Sequence, residues 1–263
     1  MTSSRFVAFF GATGGCTNAA LVHTLNAGIH ATALARTPSK LTDMLLAQGI
    51  TQTTLDSQLT IVKGDIASIP SIKSVLLSSK DHTLASQIIS GVGGAPVMQW
   101  SLTLPVTLDN PEICATATKN IVQALGEIYA EQPASAAHKP SILTISTTGL
   151  SDVCEDVPFG FRFLYHVVLA VPHKDKKVME KMVAENSSSE GVFRGGVVVR
   201  PSLLTGDQNI KGGKGLQKVK VGNEDKPAIG YTIHRADVGE WIFEETIKTD
   251  GQRWFGQRVT LTS

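Results

Sequence analysis

Nowhere in this chain do about 18 apolar residues follow one another, so the sequence predicts no membrane-spanning helix. Excess charge is missing too: 24 Lys and Arg against 23 Asp and Glu leave a net charge of +1. That excludes the strong field that draws nucleic acid or an anionic membrane surface. Cysteine is scarce. Cys16, Cys114 and Cys154 are odd in number and far apart, which argues against a disulfide framework and against a metal-ligand spacing. The start, Met1 to Arg5, lacks an apolar segment ending in a cleavage site. Reduced thiols and no secretory signal lead us to expect a cytoplasmic protein. Internal repeats, coiled-coil heptads and low-complexity tails are absent as well.

What is present is an ordinary globular composition, 42% hydrophobic and 18% charged over 263 residues, enough for one large α/β domain. Short apolar runs alternate with amphipathic segments, the pattern of a parallel sheet covered by helices on both faces. Strands are expected at 5–10, 30–35, 59–63, 87–91, 141–146 and 196–200. Helices are expected at 18–27, 39–47, 69–77, 111–129 and 174–185. Gly28 and Gly49 stand where helices stop, and Pro111 starts the fourth helix with Asp109 and Asn110 as caps. Three stretches break the alternation: a Gly/Pro-rich loop at 91–110, a long aromatic loop at 147–172, and everything after Pro201, where 211–215 reads as a mobile loop. We therefore expect a single doubly wound domain over 1–263, with 201–263 as a small substrate-side appendage. In such folds the loops at the carboxyl ends of the strands form the ligand crevice.

The stretch Phe9-Phe10-Gly11-Ala12-Thr13-Gly14-Gly15-Cys16-Thr17 reads as a buried strand entering a glycine turn and then a helix. Gly11 allows a sharp turn and Gly14 a close approach of backbone to a diphosphate. The N–H groups and positive dipole end of the helix then hold the anion. This is the arrangement of a Rossmann-type dinucleotide site. The second strand ends in Ala35-Arg36-Thr37-Pro38-Ser39-Lys40 with no carboxylate for the ribose hydroxyls. Arg36, helped by Thr37 and Lys40, suits a 2′-phosphate, so NADP(H) is expected over NAD. Asp65, followed by Ile66, is expected near the adenine, or as a cap of the next helix. Gly91-Val92-Gly93-Gly94 lets the chain pass close to the ribose and diphosphate.

Together with Ala35-Arg36-Thr37, Val62-Lys63-Gly64-Asp65, Ile145-Ser146-Thr147-Thr148-Gly149, Val199-Arg200-Pro201-Ser202-Leu203-Leu204-Thr205 and Ile233-His234-Arg235-Ala236-Asp237-Val238, these residues resemble the short-chain dehydrogenase/reductase superfamily. The likeness is to its atypical branch, the NmrA-like and flavin/biliverdin-reductase-like NAD(P)-binding proteins, and it spans nearly the whole chain. It implies that Thr13, Gly15, Cys16, Thr17, Ser146, Pro201, Leu203 and Leu204 join the cofactor site. It also implies that Arg235 and Asp237 stabilise the fold. Thr17 replaces the third glycine of the fingerprint, which should loosen the helix–sheet approach a little.

The superfamily uses a Ser, a Tyr and a Lys, the last two in Tyr-x-x-x-Lys spacing. Here Thr147 matches the Ser and Lys176 the Lys, but Pro172 stands at the Tyr position. Candidate proton donors are Tyr165 and His173. His173 would titrate near neutrality, although it can equally cap or solvate the helix start, and Tyr165 can equally be a packing residue. Asp175 is explained by the dipole of its own helix. Cys16, at a helix N-terminus, would have a lowered pKa. Pro96, Val97, Met98, Trp100, Phe159, Phe161 and Phe163 would line an apolar pocket. The resemblance implies a reductase passing hydride from NADP(H) to a small, largely apolar carbonyl or conjugated substrate. The alternatives are an NmrA-like NADP-sensing regulator and a cyclase or isomerase on the same scaffold. No metal is expected, and monomer and dimer both remain open.

Overall fold

The computed structural model describes residues 5–94, 96–98, 106–161 and 170–263. Its first half alternates strand and helix: β1 (Phe6–Phe10), α1 (Gly15–Asn26), β2 (His30–Ala35), α2 (Pro38–Leu46), α3 (Gln52–Gln58), β3 (Leu59–Lys63), α4 (Ile69–Leu76) and β4 (Gln87–Ser90). A short hairpin, β5 (Pro96–Met98) and β6 (Val106–Leu108), leads to α5 (Ile113–Glu131), β7 (Ser141–Ile145), α6 (Ala170–Asn186) and β8 (Gly195–Pro201). The chain closes with β9 (Leu203–Thr205), β10 (Lys220–Gly222), β11 (Thr232–His234), α7 (Arg235–Ile242) and β12 (Arg258–Thr262).

Eight strands form one sheet in the order β10-β12-β8-β7-β4-β1-β2-β3, parallel throughout except for β10 against β12. Parallel strands buried on both faces need continuous apolar runs, and β1 has one: Phe6 to Phe10 are all buried. Alternate side chains divide between two cores. Val7 and Phe9 pack with α1, α2 and α7 on one face; Phe6, Ala8 and Phe10 pack with α4, α5 and α6 on the other. Val7 and each of the phenylalanines contribute roughly 1.5–3 kcal/mol by leaving water. The strand order reverses between β1 and β4, and their register pairs Phe10 with Ser90. Gly11 and Gly91 therefore leave the sheet side by side at the point where open α/β sheets bind ligands.

Several expectations need correction. Helix α1 begins at Gly15, three residues early, because Gly14 in extended conformation (φ −83, ψ 143) serves as its N-cap. The 91–110 loop contains the β5–β6 hairpin. Helix α5 starts at Ile113 rather than Pro111, since Asn110 caps only the Glu112 N–H at 3.2 Å. Helix α6 starts at Ala170, with Pro172 in its first turn, where a missing N–H costs nothing. Residues 201–263 are not an appendage: they add β12 and β10 to the main sheet, and α7 packs on α1. Nor does the 211–215 loop hang free, because Asp237 Oδ1 accepts the N–H groups of Lys214 (2.7 Å) and Gly215 (3.0 Å).

Candidate active site

The two glycine loops fit only because neither carries a side chain. Gly11 has φ +76, and a Cβ on it would lie 2.7 Å from the backbone carbon and oxygen of Gly91. A Cβ on Gly91 would overlap the Thr17 hydroxyl. Thr17 thus does not loosen the helix–sheet approach. It is buried and takes the room that Gly91 leaves. The turn is held by Gly14 N–H to Gly11 O (2.8 Å) and by Asn18 Nδ2 to Ala12 O (2.9 Å), with Gln48 Nε2 bracing Asn18 Oδ1 at 2.6 Å. The first bond inside α1 runs from Asn18 N–H to Gly14 O (2.8 Å). The N–H groups of Gly15, Cys16 and Thr17 precede it and carry the positive end of the helix dipole.

Two adjoining cavities flank this turn and share Gly14 and Gly91 to Gly94. One, of about 320 Å³, is walled by Gly11, Thr13, Leu34, Ala35, Arg36, Gly64, Asp65 and Ile66, and by Asp109, Asn110 and Ile113 before and within α5. The other, of about 330 Å³, is walled by Gly15, Cys16 and Thr17 on one side. Arg235 lies beside them, and Cys114, Ile145 to Thr147, Lys176 and Pro201 to Leu204 complete the wall. The cofactor-binding candidates from the sequence line these cavities, with two exceptions. Thr37 and Lys40 are exposed and line neither; Thr37 is the residue before α2, and its side chain makes no cap bond. Asp65 Oδ1 accepts the Ala67 N–H at 2.9 Å within a turn, while Ser68 caps α4. Asp65 therefore belongs to the cavity wall and not to the helix start.

At the second cavity Lys176 Nζ donates to Ile145 O at 2.9 Å, which fixes its ammonium beside Thr147. Ser146 Oγ is committed elsewhere, donating to Glu180 Oε1 at 2.5 Å. Glu180 is buried and grips Arg200 through both oxygens, at 3.0 and 2.6 Å, and Arg200 and Arg258 share Glu224. Asp175 does not serve its own helix dipole; it accepts the N–H groups of Cys114 (2.9 Å) and Ala115 (2.8 Å) and so caps α5. His173 is not a solvated helix-start residue: it is 7% exposed and lines neither cavity. Tyr165, Trp100 and Phe163 lie outside the described residues. Pro96, Val97 and Met98 form β5. Phe159 and Phe161 sit in a short 3-10 turn away from both cavities; Phe159 is 85% exposed and Phe161 packs edge-on to Tyr231 with ring centroids 5.0 Å apart.

The expected low pKa of Cys16 is also overturned. Burial pushes its thiol up to about 12, against the opposing pull of Arg235 and Lys176. Burial likewise raises Cys114 to about 11. Among the described residues no group of three or more His, Cys, Asp or Glu is placed to hold a metal ion. No described helix is long and apolar enough to cross a membrane. The sequence reading missed Asn110 and Ile113 as wall residues, and above all Arg235. The position of Asn110 just before α5 was a usable signal, whereas nothing local ties residue 235 to the glycine turn.

Comparison with known proteins agrees with this geometry. Residues 11–247 match the model of a family described as NAD(P)H-binding. The chain is 47% identical to oxidase pynE of Aspergillus niger over 99% of both proteins, and 42% identical to reductase pytE of Aspergillus terreus over the full length of both. A short-chain dehydrogenase/reductase of Veillonella parvula, solved in complex with NADP, superposes with a TM-score of 0.66 at 13% identity, over 98% of this chain and 94% of its own. The oxidoreductase ylbE of Lactococcus lactis superposes at 0.61 with 16% identity, over 98% and 90%. The chain belongs to the NAD(P)H-binding family and is an oxidoreductase with a Rossmann-type fold.

Proposed function

We propose that this chain is an NADP(H)-dependent reductase of a small, largely apolar carbonyl or conjugated compound. The observation that carries the reading is the pair of glycine loops, closed on one another where a Cβ would not fit, beneath open N–H groups of α1. That cradle suits a diphosphate. Arg36, on the wall at the end of β2, suits a 2′-phosphate through its fork of donors, and no carboxylate stands at that strand end. Asp65, the nearest acid in sequence on that wall, spends one oxygen on Ala67 N–H.

A bound reduced nicotinamide would supply the hydride. The protein's own part is then positioning and charge. Lys176, held by Ile145 O, presents an ammonium to a ribose hydroxyl or to a substrate oxygen that gains negative charge. The Thr147 hydroxyl can donate to the same oxygen. With Pro172 at the usual Tyr position and His173 buried, orientation contributes more than proton relay. The test is loss of NADPH absorbance with a panel of quinones, flavins and aldehydes. Turnover on at least one, with NADPH preferred to NADH, supports the reading. No NADPH consumption with any of them would overturn it.

A further inference from the structure

The glycine turn, Gly11 to Asn18, contains no lysine or arginine. A helix terminus offers about half an elementary charge, whereas a dinucleotide diphosphate carries about two. A cationic side chain from elsewhere in the chain would add to the charge of the helix terminus. Resting on the cofactor reading above, we propose that Arg235, distant in sequence, supplies it as a diphosphate-binding residue.

Its placement is specific. Arg235 opens α7, which packs against α1, and its aliphatic stem crosses the first turn of α1 where Gly15 has no side chain. A Cβ on Gly15 would lie 3.2 Å from both Cβ and Cγ of Arg235 and would collide with its Cδ. Gly15 is therefore glycine to admit the arginine. The guanidinium is anchored by one bond, Nη1 to Gly206 O at 2.6 Å. Among the described residues no carboxylate lies within ion-pair range of it, so donors of the fork remain for an anion. It lines the same cavity as Gly14, Gly15 and Cys16. Its field reaches the first turn of α1, where it is the largest influence opposing the burial of the Cys16 thiol. This is a binding role in addition to the structural one implied by the family resemblance.

The experiment compares wild type, Arg235→Met and Arg235→Lys by calorimetric titration. Met keeps the apolar stem over Gly15 and removes the charge; Lys keeps the charge and removes the fork. The probes are NADP+, 2′-phospho-ADP-ribose, and adenosine 2′-monophosphate, which lacks the diphosphate. Arg235→Met should bind the first two about 10- to 100-fold more weakly, the size of a lost charge-assisted bond. Adenosine 2′-monophosphate should bind unchanged, and Arg235→Lys should fall between. Unchanged NADP+ affinity in Arg235→Met would overturn the inference while leaving the cofactor reading intact. So would equal loss on all three probes, which marks a collapsed site. So would unchanged cofactor affinity with a raised substrate KM, which places the arginine on the substrate. Failure of the wild type to bind NADP+ would instead sink the cofactor reading itself.

Discussion

Replacing Gly11 with alanine tests the closed glycine loops directly, and Gly28 provides a matched control. The two residues share nearly the same backbone, φ +76 and φ +75. Alanine at either pays the left-handed conformation, about 1–2 kcal/mol. They differ in surroundings. Nothing lies within 4 Å of a Cβ built on Gly28, whereas on Gly11 it meets Gly91 C and O at 2.7 Å and Val92 N at 2.8 Å. Those are backbone atoms of the neighbouring loop, itself wedged against Thr17, so they cannot turn aside as a side chain would. Overpacking of that kind costs a further ~1–3 kcal/mol. Gly11→Ala should therefore lose roughly 2–5 kcal/mol against 1–2 for Gly28→Ala. In a domain of this size that is a melting temperature lower by about 4–20 °C, against about 2–8 °C for the control. Thermal unfolding followed by circular dichroism gives the comparison, and NADPH titration gives the functional side. Gly11→Ala should lose more than about tenfold in affinity, because the loops proposed to flank the diphosphate are forced apart. Gly28→Ala should bind as wild type. Equal melting points and equal affinities for the two variants would refute the reasoning.

Other consequences can be checked alongside. Arg36→Ala should weaken NADPH about tenfold or more and leave NADH nearly unchanged, as read by fluorescence titration. Glu180→Ala removes the two-oxygen partner of Arg200, which is 2% exposed and keeps Glu224 at 3.1 Å, and should cost about 1.5–3 kcal/mol in urea unfolding. The raised Cys16 thiol makes a pH-dependent contribution of definite sign. Its folded pKa of about 12 exceeds the ordinary 9.0, so that stability is fully present below pH 9.0 and is lost as pH rises towards 12. Cys16→Ala should flatten that alkaline loss relative to wild type in denaturant titrations at increasing pH. For the same reason Cys16 should stay unreactive to a thiol reagent at pH 8 while the part-exposed Cys154 is labelled.

Six of the eight strands of the main sheet were legible because their signals are local, whereas β10 and β12 were not. Strands β2 and β3 fall where their apolar runs predict, and Gly28 and Gly49 do adopt positive φ at helix ends. Helix α3 was not legible, since Gln52 to Gln58 buries only Leu55 and has no apolar periodicity to detect. Pro172, expected as the last residue of the 147–172 loop, sits in the first turn of α6, a position that tolerates proline. Most of the cavity wall followed from glycines and strand ends. What escaped is tertiary: Asp175 capping a different helix, Glu180 binding the Ser146 hydroxyl, and Arg235 lying over Gly15. Each depends on two elements meeting in space, and no spacing along the chain announces it. Thr37 and Lys40 are close to Arg36 in sequence yet exposed and outside the cavity wall.

The proposed function places a phosphorylated nicotinamide nucleotide over the glycine turn with its 2′-phosphate at Arg36. Calorimetric titration of the wild-type protein with NADPH and with NADH tests this most directly. NADPH should bind at one site per chain, about tenfold or more tighter than NADH. Absence of heat with both nucleotides, or NADH binding as tightly as NADPH, would contradict it.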